Sequence, residues 1–219
     1  MIQKSTLDFL KKLKSNNNRE WFEKNKAKYL LAKEDVEKTV AELISAIGKF
    51  EKGMAGLDAK KCVFRIYRDV RFSKDKRPYK TNLGASMSPG GKKVHEPGYY
   101  IHFEPGNSFI AGGMWMPEPP HLAAIRQEID YNAKEFLAIV NNKKFKKYFG
   151  SLSDEDKLKT VPKGYDKTHP QIEFLKLKSF IVVHDLGDNL VTSKKFIKEA
   201  AAIAQAMQPL NKFLSRAMD

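Results

Sequence analysis

Tyr99-Tyr100-Ile101-His102-Phe103-Glu104-Pro105-Gly106-Asn107-Ser108-Phe109-Ile110-Ala111-Gly112-Gly113-Met114-Trp115 is the stretch that decides the fold. Tyr99, Ile101 and Phe103 alternate with Tyr100, His102 and Glu104, the two-residue period of a half-buried strand. Residues 104–108 carry turn chemistry, and residues 109–115 read as the returning strand. A connection this short pairs strands antiparallel. Upstream, Cys62, Phe64 and Ile66 alternate with Val63, Arg65 and Tyr67, so residues 62–116 read as strand-rich. Residues 88–98 read as a flexible loop. Two glycines inside a strand, Gly112 and Gly113, mark a bulge or the close approach of another backbone or a ligand.

Working outward, the period changes from two to 3.6. Residues 5–52 read as helical. Ser5 and Asp8 have capping-box spacing, and Asn17 with Glu20 suggests a second cap after the break at residues 16–18. Leu7, Leu10 and Leu13 form one apolar stripe; Val36, Val40, Leu43, Ile44, Ile47 and Phe50 form another. The helix over 19–50 is either continuous or two helices meeting near Leu31, ended by Gly53 and Gly56. Residues 119–216 read as mainly helical, with a short strand near 180–184. Ser153 and Asp156 suggest a cap, and 193–216 is the clearest helix. The expectation is α+β: an antiparallel meander in the middle of the chain, flanked by N- and C-terminal helices, in one domain over 1–219.

Of 219 residues, 42% are hydrophobic and 30% charged. That composition excludes collagen, a disordered tail protein and a disulfide scaffold. The single Cys62 cannot form an internal disulfide, which suits a reducing compartment, and its apolar neighbours suggest buried packing. The first 18 residues lack the apolar core of a signal peptide, and no run reaches the ~18 apolar residues of a membrane span. A cytoplasmic protein with no membrane partner is expected. The net charge of +14 favours anionic partners, or else a lysine-rich solubilising surface.

The charge is not spread evenly. Residues 61–80 hold eight Lys or Arg and two Asp, a net +6, where an even spread would give between one and two. Arg65 and Tyr67 should face away from Phe64 and Ile66, with Arg68, Asp69 and Arg71 at the strand end. Arginine forks grip phosphate or carboxylate oxygens, and Asp69 is placed to orient them. Lys74, Lys76 and Lys80 can reach a ligand as point charges. Tyr67, Phe72 and Tyr79 offer rings for a base or sugar to stack on. The bland reading is that Asp69 and Asp75 pair with these cations in a solvated loop.

Here a resemblance enters. The segment FRIYRDVRFSKDKRPYKTNLG (64–84) resembles the signature of the family catalogued as domain of unknown function 2461. LDFLKKLKSNNNREWFEKNKAKY (7–29), PGYYIHFEPGNSFIAGGMWMPEP (97–119) and PKGYDKTHPQIEFLKLKSF (162–180) are similar to the same family, in order, and the similarity runs over 5–215. The resemblance implies a conserved single-domain protein, with no activity and no catalytic residue attached to it.

Other chemistry is thinner. Alternation places His102 and Glu104 on one strand face, but no spacing ties His121 or His169 to them as further metal ligands, so a hydrogen-bonded strand histidine is the ordinary reading and no metal is assigned. There is no GxSxG elbow and neither GxxxxGK[ST] nor GxGxxG, so no cofactor is named. Three functions remain. The first is binding of a phosphate-bearing small molecule or nucleotide by Arg65, Tyr67, Arg68, Asp69, Arg71, Lys74, Lys76, Tyr79 and Lys80. The second is nucleic-acid binding by the basic surface. The third is an enzyme of group transfer or hydrolysis with Asp69 or Glu104 as base.

Overall fold

The structure is a computed structural model that describes residues 1–89 and 96–218. Most of the loop expected at 88–98 thus lies outside the described residues. The chain opens with three helices, α1 (Lys4–Ser15), α2 (Arg19–Lys24) and α3 (Lys26–Gly48). A single 3-10 turn (Lys52–Met54) and the short α4 (Ala59–Cys62) follow. Strands β1 (Leu83–Met87), β2 (Gly98–Phe103) and β3 (Ser108–Met114) come next, then α5 (Pro119–Tyr131), α6 (Ala133–Val140), α7 (Lys143–Phe149) and α8 (Ile172–Leu175). The chain ends with β4 (Phe180–Leu186), α9 (Asp188–Val191) and α10 (Phe196–Arg216). This is the expected α+β architecture, with helices on either side of a central meander.

The four strands lie in sequence order, every pair antiparallel. Ala85, Ile101 and Ile110 line up across three strands and have no exposed surface. Helix α10 packs against β3 and α3, and α3 reaches β1. At Gly112 the helix comes close: a Cβ there would lie 2.6 Å from Met207 Sδ. The paired glycines therefore do mark a close approach, made by α10 on one side and by β4 at Gly113.

Several local expectations fail for identifiable reasons. Residues 62–67 do not form a regular strand. Cys62 ends α4, whose start is capped by Asp58 accepting from the Lys60 amide at 2.9 Å. Val63 bridges Ala85 and Tyr67 bridges Tyr79, so four steps on one side face six on the other, and the extra residues break the ladder. Strand β1 was not anticipated; its Gly-Ala-Ser core is weak in strand formers. Ser5 and Asp8 make no capping box. Asp35 of α3 reaches over instead, accepting from the Gln3 amide at 2.9 Å and the Thr6 hydroxyl at 2.6 Å. The second cap is Asn18, which accepts from the Trp21 amide, and the following break falls at Asn25 rather than near Leu31. Residues 153–156 form no helix. The Ser153 amide donates to the Ile181 carbonyl, and Asp156 accepts from the Ser179 hydroxyl.

Candidate functional site: a basic arm beside the open face of the sheet

Between α4 and β1 the chain runs out and back as an arm. The Phe64 amide donates to the Gly84 carbonyl, Lys80 to Ile66 and Arg68 to Pro78, at 2.8–2.9 Å. The base of the arm is apolar. Tyr79 is only 3% exposed and stacks on Phe22, with ring centroids 3.9 Å apart and planes 14° from parallel. Tyr67 packs beside both rings. Asn17 clamps the Tyr79 backbone from both sides, donating to its carbonyl at 2.9 Å and accepting from its amide at 3.1 Å.

Beyond the base, two carboxylates organise the cations. Asp75 accepts from Arg68 Nη1 at 2.6 Å, from Arg77 Nη2 at 2.7 Å and from the Arg77 amide. Arg68 also donates to the Arg77 carbonyl. Asp69 accepts from Arg71 Nε and Nη2 at 3.0 and 2.7 Å. Lys76 Nζ caps the Val70 carbonyl at 3.0 Å. The pairing of Asp69 and Asp75 with their neighbours is thus real, and it works as bracing: two acids cannot neutralise eight cations.

These contacts sort the residues singled out from the sequence. Arg65, Tyr67, Arg71, Lys74 and Lys76 lie on the arm's surface, and Phe72 at its tip is 95% exposed. Arg68 is turned inward as a brace, and Tyr79 is buried in the base. Lys80 turns toward the sheet, its Nζ 5.3 Å from the centre of the Phe64 ring. Two concavities, of about 490 and 360 Å³, lie elsewhere: one beside Asp35, Thr39 and Glu42, the other beside Tyr99, Asn211 and Lys212. Neither is lined by an arm residue.

The braces carry an acid signature. Hydrogen bonds from Arg77, and then from Arg68, hold the Asp75 carboxyl far below its ordinary 3.8. A depressed carboxylate contributes order that is fully present above its unfolded value and lost as pH falls through its folded value. The arm should therefore stay ordered down to about pH 4 and loosen only below that. Hydrogen exchange at the Arg68 and Lys80 amides checks this. Protection should fall below pH 4 in the wild type, whereas Asp75→Asn should show faster exchange already at pH 7. Equal protection in both proteins at pH 7 would rule out the brace.

The sheet supplies the second part of the site. One face is covered by α3 and α10. The other carries Ser86, Tyr100, Phe109, Ile181, Val183 and Asp185, all half-buried or exposed. On it the Tyr100 hydroxyl lies 3.0 Å from His102 Nδ1, and His102 Nε2 lies 3.4 Å from Glu104 Oε2. A carboxylate only accepts, so Nε2 carries the proton and Nδ1 accepts from the Tyr100 hydroxyl. Glu104 also accepts from the Thr81 hydroxyl at 2.9 Å and from Asn107 at 3.3 Å. Burial pushes the Glu104 carboxyl up, but these donors with His102 outweigh it and hold it below its ordinary value. Burial also lowers His102 against the pull of Glu104, and raises the Tyr100 hydroxyl to about 12. Phe109 stacks on His102 with centroids 4.6 Å apart.

Of the two candidate bases, Asp69 is exposed and tied to Arg71, whereas Glu104 ends a hydrogen-bonded chain. Sequence reasoning paired His102 with Glu104 but missed Tyr100 and Thr81. The alternation that put His102 and Glu104 on one face also put Tyr100 there, so that signal was available. Thr81 had none, because its partner is 23 residues away.

Fold and site together define an α+β protein with a helix-backed sheet, one open face and a basic arm along its edge. The chain belongs to the DUF2461 family, described as a conserved hypothetical protein, whose family model matches residues 5–213. No curated protein and no solved structure matches it. No helix among the described residues is long and apolar enough to cross a membrane.

Proposed function

We propose that the chain binds a phosphate-bearing ligand through the basic arm, and that this ligand is single-stranded nucleic acid rather than a free nucleotide. One observation carries the choice: Arg65, Arg71, Phe72 and Lys74 are all exposed on an arm beside the sheet, and none of them lines either of the two concavities. Small ligands are held in clefts that bury most of their surface. An extended strand instead needs a row of cations for its phosphates and exposed rings for its bases. Phe72 is such a ring, and Arg71 lies 5.8 Å from its centre. Half-buried Phe109 and Phe64 would continue the platform on the sheet side.

The test is fluorescence anisotropy of labelled 12-mer RNA and DNA across a salt series, against unlabelled mononucleotides. If Arg65, Arg71, Lys74 and Lys76 each meet one phosphate, the log–log salt slope is about −3. Changing Arg65 and Lys74 together to Gln should reduce it to about −1.4. Phe72→Ala should weaken binding by about 1–3 kcal/mol with the slope unchanged. Saturable, salt-insensitive binding of a mononucleotide, with no preference for the 12-mers, would overturn this reading in favour of a small ligand.

A further inference from the structure

Resting on that phosphate reading, we infer that Tyr100, His102 and Glu104 form a nucleophile, base and positioning group for cleavage of phosphate esters on the open face of the sheet. Covalent catalysis by a hydroxyl requires a base within hydrogen-bond reach of the nucleophile and a third group that fixes the base. Here the Tyr100 hydroxyl is 3.0 Å from His102 Nδ1, and Glu104 holds the opposite ring nitrogen, setting the tautomer in which Nδ1 is free to take a proton. Thr81 and Asn107 hold Glu104 in turn. Phe109, stacked on the imidazole, fixes its plane. Gly84, opposite His102 on β1, completes the arrangement: a Cβ there would lie 2.5 Å from the Tyr100 hydroxyl oxygen, so the absence of a side chain makes the hydroxyl's seat. Lys80 brings positive charge to the same face, next to Phe64, whose ring lies 6.2 Å from that of Tyr100.

The chemistry balances without a further reactant except water. Tyr100 Oη bonds to phosphorus as its proton passes to His102 Nδ1. The bond from phosphorus to the departing ester oxygen breaks, and that oxygen keeps the electron pair and takes a proton from solvent. Water then attacks phosphorus, its spare proton returns to solvent, and the tyrosyl–phosphorus bond breaks as Tyr100 recovers its proton from His102. The sum is one ester hydrolysed by one water.

The full chain is assayed with bis(p-nitrophenyl) phosphate and with a quenched fluorescent 12-mer RNA and DNA. Turnover by the wild type is expected, with a phosphorylated Tyr100 peptide after acid quench and mass spectrometry. Tyr100→Phe keeps the ring and its packing and should lower turnover at least about 100-fold with unchanged thermal stability; His102→Gln should do the same. Glu104→Gln should lower kcat and slow adduct formation while leaving KM unchanged, which a packing defect would not produce. No wild-type turnover or adduct with any probe, or full turnover in Tyr100→Phe, overturns the inference. Binding of the 12-mers without cleavage sinks this inference and leaves the binding reading standing. Cleavage of the small diester without 12-mer binding does the reverse.

Discussion

Gly113→Ala should be the most damaging single methyl in the molecule, lowering stability by about 4 kcal/mol. Two effects add. Gly113 has φ of +113°, a region closed to L side chains, which costs about 1–3 kcal/mol. Its Cβ would also be driven into β4: Ile181 Cα and the Phe180 carbonyl carbon would lie 2.9 and 3.0 Å away, and the Phe180 oxygen nearer still. These are backbone atoms held in the β3–β4 ladder, so they cannot yield like the end of a side chain, and overpacking adds about 1–3 kcal/mol. For a chain of this size the melting temperature should fall by about 10 °C or more. Two controls separate the effects. Gly106→Ala has positive φ but nothing within 4 Å, so it tests conformation alone. Gly112→Ala has ordinary φ and meets mainly Met207, whose thioether can move. The midpoints should rank wild type above both controls, and both controls above Gly113→Ala. A Gly113→Ala protein melting with the wild type would show that this tight backbone contact does not exist.

That position illustrates how much the sequence could reveal. Two adjacent glycines in an alternating strand announce that something comes close, and the structure identifies it as Met207 and the β4 backbone. The sequence could not name either, because both are far along the chain. The meander was legible because its signals are local: residues 99–104 keep a two-residue period, and a Pro-Gly-Asn turn leads into the returning segment 109–115. Residues 63–67 keep the same period but form no regular strand. Their pairing partner is a bulged return segment, and register with a distant partner is not written in alternation.

The site was legible in part. Charge concentration at 61–80 located the arm, since charge counts need no knowledge of the fold. Which cations face outward was not readable. Arg68 and Arg71 look equivalent in the sequence, but Arg68 is turned in to Asp75 and Ser73 while the Arg71 side chain is 76% exposed. The tyrosines divide likewise: Tyr67 stays at the surface and Tyr79 goes under Phe22. The chain from Tyr100 to Glu104 lay in five consecutive residues, and its geometry follows from strand pleating. What the sequence withheld was Gly84 beneath the Tyr100 hydroxyl, a contact created by the pairing of β1 with β2.

Asn17→Ala should be the second most damaging change, and it links stability to binding. Asn16, Asn17 and Asn18 look interchangeable but do three different things. Asn16 donates to the Lys12 carbonyl at an exposed helix end, so its loss should be nearly silent. Asn18 is the α2 cap, worth about 1 kcal/mol. Asn17 spans 62 residues of sequence to satisfy both backbone groups of Tyr79. Removing it deletes two hydrogen bonds and strands an amide and a carbonyl at a buried residue, for a loss of about 2–3 kcal/mol. Because Tyr79 roots the arm on Phe22, the damage should spread outward. Exchange at the Lys80 and Arg68 amides should quicken, and affinity for the 12-mers should fall even though Asn17 carries no charge. Asn17→Asp sharpens the test. It keeps the acceptor for the Tyr79 amide but sets a carboxylate against the Tyr79 carbonyl, so it should rescue neither stability nor affinity. If Asn17→Ala melts like Asn16→Ala and binds like the wild type, the arm is not anchored through Tyr79, and the ordered display of exposed cations on which the binding proposal rests loses its foundation.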